Sequence, residues 1–315
     1  MDEVEVRELR YFIAVAEELN FTRAAERLGM AQPPLSIAIA KLERKLGVAL
    51  LERSSRRVTL TPAGATLLEQ GRLAVEGVGA AVARARRRGA EPDQLTVAVK
   101  AGGGTDLLRR IARRCAQDPV APDLKLLFDY PGGAAAAVCS GAADVAILRT
   151  PFAQRGLDSE TLLVEPRVAV LPADHRLAGR RALRRADLAG EPMPRWAGQA
   201  DPAADAYWRG TDTPPSPGPA LATTGAAGPP DGPEIRGMQQ LLDVVALGQA
   251  VAFVPASIAR RHDCAELAFV PVTDLSPSEV VAAWPEASRS RAVAGFVRAA
   301  AEAAAERPDR AAAFA

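Results

Sequence analysis

Gln32, Ser36, Lys41, Arg44, Arg53, Arg56 and Arg57 lie in one short stretch near the start of the chain. Side chains of these types do not break covalent bonds alone. They recognise anions and the hydrogen-bonding edges of flat polar rings. An amide such as Gln32 and a hydroxyl such as Ser36 suit base edges, and the cations suit phosphates. Groups that would do bond chemistry are sparse. The chain has two histidines and three cysteines. His175 sits in Pro172-Ala173-Asp174-His175-Arg176-Leu177, and His262 follows Arg260-Arg261. No Cys/His cluster has metal-ligand spacing, and there is no nucleophile elbow or phosphate-binding loop. We therefore expect no catalytic residues, no metal and no cofactor.

Two helices must position the recognition groups. Thr22 reads as an N-cap, followed by Arg23 to Leu28 and a stop at Gly29. A second helix opens on Pro33 and Pro34, tolerated where amides lack partners, and runs to Leu46-Gly47. Leu35, Ala38, Ile39, Leu42 and Leu46 form its apolar stripe. Pro33, Ile37, Ala40, Lys41 and Arg44 lie opposite. Two helices across a short turn form a helix-turn-helix, whose second helix would present that outer face to a major groove. An ordinary helical hairpin with a solvated basic face is the competing reading. Glu52 to Gly64 then reads as a two-stranded wing.

The pattern resembles the winged helix-turn-helix of LysR-type transcriptional regulators. The resemblance rests on Leu9-Arg10-Tyr11-Phe12, Asn20-Phe21-Thr22, Ala24-Ala25, Gln32-Pro33-Pro34-Leu35-Ser36, Leu42-Glu43, Leu46-Gly47, and Glu52-Arg53 through Thr61-Pro62-Ala63-Gly64. It is dense over about the first 65 residues and collinear but weaker beyond. It implies double-stranded DNA as a partner, at an interrupted inverted-repeat operator, and a homodimer or homotetramer. DNA contacts would come from Thr22, Arg23, Gln32, Pro33, Pro34, Ser36, Ile37, Lys41, Arg44, Arg53, Arg56 and Arg57. The family commonly carries arginine directly after the recognition-helix serine, whereas here Ser36 is followed by Ile37. Either Ile37 reads a thymine-containing step, or a basic contact is absent and affinity is lower.

Charge is distributed to match. Residues 1–90 hold 15 basic and 11 acidic side chains, leaving 24 and 27 for the remainder. Residues 23–57 alone hold 8 and 3. At 315 residues, the chain is long enough for two or three domains. No apolar run reaches membrane-spanning length and Asp2-Glu3 does not open a signal peptide, so the expected address is the cytoplasm. Cys115, Cys139 and Cys264 read as reduced packing residues, with redox sensing as the rival.

The expected organisation is a winged helix-turn-helix over 1–60, a linker helix over 61–89, a two-lobed α/β domain over 90–306 and a tail over 307–315. Val6, Leu9, Phe12, Ile13, Ala16 and Leu19 predict a first amphipathic helix. Thr61-Pro62 predicts the start of a long helix, stopped at Gly89. Its stripe, Leu67, Leu68, Val75, Val78 and Val82, has no local partner, and the resemblance implies that it dimerises the protein. Beyond residue 90 strands and helices alternate, predicting parallel α/β units. The first lobe would span about 90–165 and 267–306, the second about 166–266. This layout resembles the family's effector domain, which is like a periplasmic binding protein, with a small-molecule effector between the lobes.

Gly102-Gly103-Gly104-Thr105 puts bare amides at a helix start, suited to an anion. A glycine turn without a ligand role is the equal alternative. The family often presents a hydroxyl where this chain has Gly102. Gly132, Gly133 and Ala134 begin the next cleft-side helix, and Arg149 is the best candidate to pair with an anionic effector. Trp196 and Gln239 complete the expected effector set; Trp196, Tyr207 and Trp208 either line the cleft or pack in the core. Thr211 to Pro233, with seven prolines and four glycines, predicts an irregular inserted loop. Two further readings stay open: an enzyme fused to a DNA-binding module, and a regulator whose effector domain no longer takes a ligand.

Overall fold

The computed structural model describes residues 4–53, 57–90, 94–99, 105–118, 121–128, 130, 133–152, 155–198, 201–212, 229–262 and 264–306. The chain divides into two compact units, Met1–Pro92 with Cys139–Ala142, and Asp93–Val138 with Ala143–Ala315.

The first unit opens with α1 (Val6–Glu18), α2 (Phe21–Arg27) and α3 (Gln32–Leu46). Phe12, Val15, Ala24, Ala25, Leu35, Ile39, Leu42 and Leu50 form its core. The small pair Ala24-Ala25 leaves room for the helices to approach. Asn20, not Thr22, caps α2: its Oδ1 accepts from the amides of Thr22 at 2.9 Å and Arg23 at 3.1 Å. Asn20 is extended, so its side chain reaches both free amides, while Thr22 already lies inside the helix. Gly29 takes φ +66°, and the Met30 amide closes back on Ala25 at 3.0 Å. That turn delivers the chain into α3.

The wing is β1 (Leu51–Arg53) paired antiparallel with β2 (Val58–Leu60). Thr61 then caps α4 (Pro62–Ala90), its Oγ1 accepting from the Gly64 amide at 2.9 Å. A side chain on Gly64 would stand 2.0 Å from the Leu50 carbonyl oxygen, so glycine alone permits this approach. The described helix reaches Ala90, one residue past Gly89, where a stop was expected. The stripe on α4 also divides. Leu67 and Leu68 pack against the core of the winged helix-turn-helix. This corrects the expectation that the whole stripe lacks a local partner. Leu73, Val78 and Val82 remain exposed, and Val75 is half-buried.

The second unit runs β3 (Gln94–Val99), α5 (Thr105–Ala116), β4 (Asp123–Phe128), α6 (Gly133–Cys139), β5 (Val145–Arg149), β6 (Leu157–Glu165) and β7 (Arg167–Pro172). It continues with β8 (Met193–Trp196), α7 (Pro202–Trp208), β9 (Asp231–Ile235), α8 (Met238–Ala246), β10 (Ala252–Pro255) and α9 (Ala256–Ala259). It ends with β11 (Leu267–Pro271), β12 (Ser278–Pro285) and α10 (Arg291–Ala305). The first lobe holds a five-stranded sheet in the order β4-β3-β5-β12-β6, and the second a three-stranded sheet β10-β7-β11 beside the pair β8-β9.

Three expectations need correction. The sheets are mixed: β3 runs parallel to β4 and β5, but β12 is antiparallel to β5 and β6. Strand β11 pairs with β7 in the second lobe and not in the first, so the return crossing falls between Pro271 and Ser278. Residues 231–233, assigned to an irregular loop, begin β9, which pairs parallel with β8. Pro233 cannot donate to a ladder, and the register shifts between Met193 and Arg195, opposite it. Residues 213–228 lie outside the described residues.

Candidate nucleic-acid interface and ligand cleft

On α3, Leu35, Ile39 and Leu42 are fully buried. The face they leave outward carries Gln32, Pro33, Pro34, Ile37, Lys41 and Arg44, all exposed, with Ser36 half-buried. Lys41 and Arg44 form no ion pair among the described residues. Lys45 is spent differently: its ammonium lies 2.9 Å from Glu8 and ties the end of α3 to α1. Thr22 and Arg23 are exposed on α2, where Arg23 binds Glu18 at 2.8 Å. Glu17 joins three helices, accepting from Arg27 of α2 at 2.6 Å and from Arg72 of α4 at 2.9 Å. Burial works to raise the Glu17 carboxyl, but the hydrogen bonds from Arg72 and Arg27 outweigh it and the net direction is downward. Arg57 is exposed beside the wing and Arg53 lies on β1. Arg56 lies outside the described residues.

In the second unit, six of the ten expected effector residues lie among the described residues. Thr105 begins α5, and its hydroxyl accepts from Arg261 at 3.2 Å, so α9's flank reaches across to the first lobe. Gly133 begins α6 with Ala134 behind it. Gly102, Gly103, Gly104 and Gly132 lie outside the described residues.

Arg149 is already occupied. It stands at the end of β5, 2.7 Å from Glu165, and donates to Ser257 Oγ at 2.9 Å and Ser278 Oγ at 2.7 Å. Glu165 in turn accepts from the Ser257 amide at 2.6 Å and hydroxyl at 2.7 Å. This nearly buried lattice joins both lobes, so Arg149's charge is compensated before any ligand arrives. The sequence reading missed Glu165, Ser257 and Ser278: the serine contacts join residues 92 to 129 apart in the chain, and Glu165 meets Arg149 from another strand of the same sheet, a pairing that composition does not reveal. Gln239 is similarly engaged, donating to Asp243 on its own helix at 3.0 Å.

Trp196 packs against the second-lobe core and lies 5.1 Å from Trp208, ring centre to ring centre. Tyr207 is buried beneath the Arg167 guanidinium, 4.0 Å from its ring centre. Burial raises the Tyr207 phenol, against the lowering influence of Ser278, Arg167 and Arg149. Arg167 itself is fully buried and grips Asp212 through both carboxylate oxygens at 2.9 Å. Its one signal in the sequence is a charge opening an otherwise apolar strand.

The cysteines are poorly placed to react. Burial raises the Cys115 and Cys139 thiols. Cys264 donates to Glu266 at 2.9 Å, which also holds it protonated. Thiolate, not thiol, is the reactive form. His175 bridges Glu191 at 3.2 Å in its surface turn. No group of His, Cys, Asp and Glu able to hold a metal occurs among the described residues. None of their helices is long and apolar enough to cross a membrane.

Residues 6–65 match the bacterial regulatory helix-turn-helix protein family of the lysR type, and residues 87–305 match the LysR substrate binding domain. The chain belongs to the LysR family. A probable cat1 operon transcriptional activator of Acinetobacter lwoffii is 31% identical over 274 residues, 82% of this chain and 84% of that protein. The HTH-type transcriptional regulator AlsR of Bacillus subtilis (strain 168) is 36% identical over 60% of this chain. That match spans 63% of AlsR, just under two thirds of its length. Among solved structures, full-length CbnR complexed with its target DNA shares 25% identity, covers 96% of this chain and 100% of its own, and superposes with a TM-score of 0.50. The Corynebacterium glutamicum OxyR C206 mutant, at 22% identity, covers 96% of this chain and 92% of its own with a TM-score of 0.53, a likeness of fold.

Proposed function

We propose that this LysR-family chain is a sequence-specific DNA-binding transcriptional regulator, acting in the cytoplasm, and not a catalyst. The observation that carries the reading is the outward face of α3, which holds base-reading and phosphate-binding side chains with none of its core residues. CbnR, which is similar throughout, was solved with target DNA. Gln32, Pro33, Pro34 and Ser36 would meet bases; Thr22, Arg23, Lys41, Arg44, Arg53, Arg56 and Arg57 would meet phosphates. The exposed part of α4, around Val75, Val78 and Val82, would hold a second copy and so set the spacing of an inverted-repeat operator. The α/β unit would take a polar or anionic small molecule between its lobes, near Thr105, Gly133, Ala134 and Trp196, and bias the lobe angle. With Arg149 already compensated, most of the anion contacts would have to come from other groups, for which Gly102, Gly103, Gly104 and Gly132 are the candidates that the sequence offers.

The test is capture of genomic DNA by the full-length protein, then anisotropy on the recovered duplexes. The reading requires saturable binding to a shared palindromic sequence, which Gln32→Ala and Lys41→Ala weaken. Uniform weak binding to every fragment would defeat it. A metabolite screen by thermal shift and Trp fluorescence addresses the effector.

A further inference from the structure

Ile37 is 69% exposed, in the middle of the outward face of α3. It lies two residues from Leu35 and from Ile39, both fully buried, so it points roughly 200° away from each. Its neighbours one turn before are Pro33 and Pro34, both exposed, and one turn after is Ala40. Together they make an apolar island, bounded by Gln32 at one end and by Lys41 and Arg44 at the other. An island of this kind within a charged and polar face has one apolar counterpart in a major groove, the C5 methyl group of thymine. Against any other base the same side chain would strip water from donors or acceptors and offer nothing back.

We propose that Ile37 reads a thymine methyl group and so fixes one T·A pair in each operator half-site. The inference rests on α3 lying in the major groove, as argued under the proposed function. Selection works in both directions: the methyl group is covered where present, and polar edges are left unsatisfied where it is absent.

The experiment uses the full-length protein and a duplex selected by it from a randomised library. Thymines are replaced one at a time by deoxyuridine, which removes the methyl group and keeps every hydrogen-bonding atom. At one thymine position in each half-site, a single replacement should weaken the wild type about fourfold, as expected for one buried methyl group. For Ile37→Ala the same replacement should change affinity less than twofold. The variant should fold, because the side chain touches none of the core. If no single deoxyuridine matters, or if wild type and Ile37→Ala lose equally, the assignment is overturned. It is also overturned if Ile37→Arg binds selected and random duplexes more tightly alike, with a steeper salt dependence, since Ile37 would then mark only an absent phosphate contact. Failure of the underlying reading looks different: Gln32→Ala and Lys41→Ala would then leave binding to the selected duplex unchanged.

Discussion

The Lys45 ammonium lies 2.9 Å from the Glu8 carboxylate, 37 residues earlier, in a pair that is nearly buried. One basic residue of α3 therefore holds the helix down, while Lys41 and Arg44 stay outward for a partner. Hydrogen bonding from the Glu5 amide, and then Lys45, lowers the Glu8 carboxyl below its ordinary value of 4.5. A carboxyl lowered on folding stabilises the protein above its unfolded value, and that stabilisation is lost as pH falls through the folded one. Glu8→Gln should cost about 1–3 kcal/mol at neutral pH. In thermal melts, the gap between wild type and variant should close as pH drops below about 4.5. A gap that persists unchanged into acid would contradict this role.

Arg149 gives a second test. Arg149→Ala leaves Glu165, whose side chain is 5% exposed, with its two hydrogen bonds from Ser257 and, as its nearest cation among the described residues, the more distant Arg260 at 3.6 Å. Removing one member of a buried pair should destabilise the protein by about 2–4 kcal/mol, and Arg149→Ala with Glu165→Gln should recover part of that loss. Unchanged melting together with lost response to an anionic effector would return Arg149 to the ligand.

The helix-turn-helix was legible because its information is local. Helical spacing sorted Leu35, Ile39 and Leu42 from Ile37 and Lys41, and the helix breaks at Gly29 and Gly47 follow from backbone chemistry. The N-cap slipped by two residues because Asn20 and Thr22 are both good caps, and only geometry says which one is extended. The α/β unit was legible as alternation but not as pairing. Strand β11 has the same apolar composition whether it joins β7 or the first lobe, so its partner is a tertiary fact. Strand β6 escaped because its outward run, Asp158 to Thr161, is polar and exposed. The Arg149 lattice escaped for the same reason as β11, since composition does not reveal a partner 108 residues away.

The divided stripe on α4 predicts a divided mutational response. Val78→Glu with Val82→Glu touches exposed positions and should yield a folded monomer in sedimentation, with weakened binding to a palindromic duplex. Leu67→Glu should instead lower the melting temperature, since Leu67 packs on the core of the winged helix-turn-helix. If the valine double variant sediments as the parent oligomer, α4 is not the interface.

The measurement that bears most directly on DNA recognition by α3 is the salt dependence of binding by full-length wild type and by Lys41→Ala with Arg44→Ala. Each phosphate that the protein no longer neutralises should reduce the slope of log K against log salt by about 0.9. The double variant should show a slope shallower by about 1–2 units for each bound subunit, with weaker binding at low salt and unchanged melting. Equal slopes and equal affinities for the two proteins would contradict this reading, because the outward face of α3 would then lie away from the DNA.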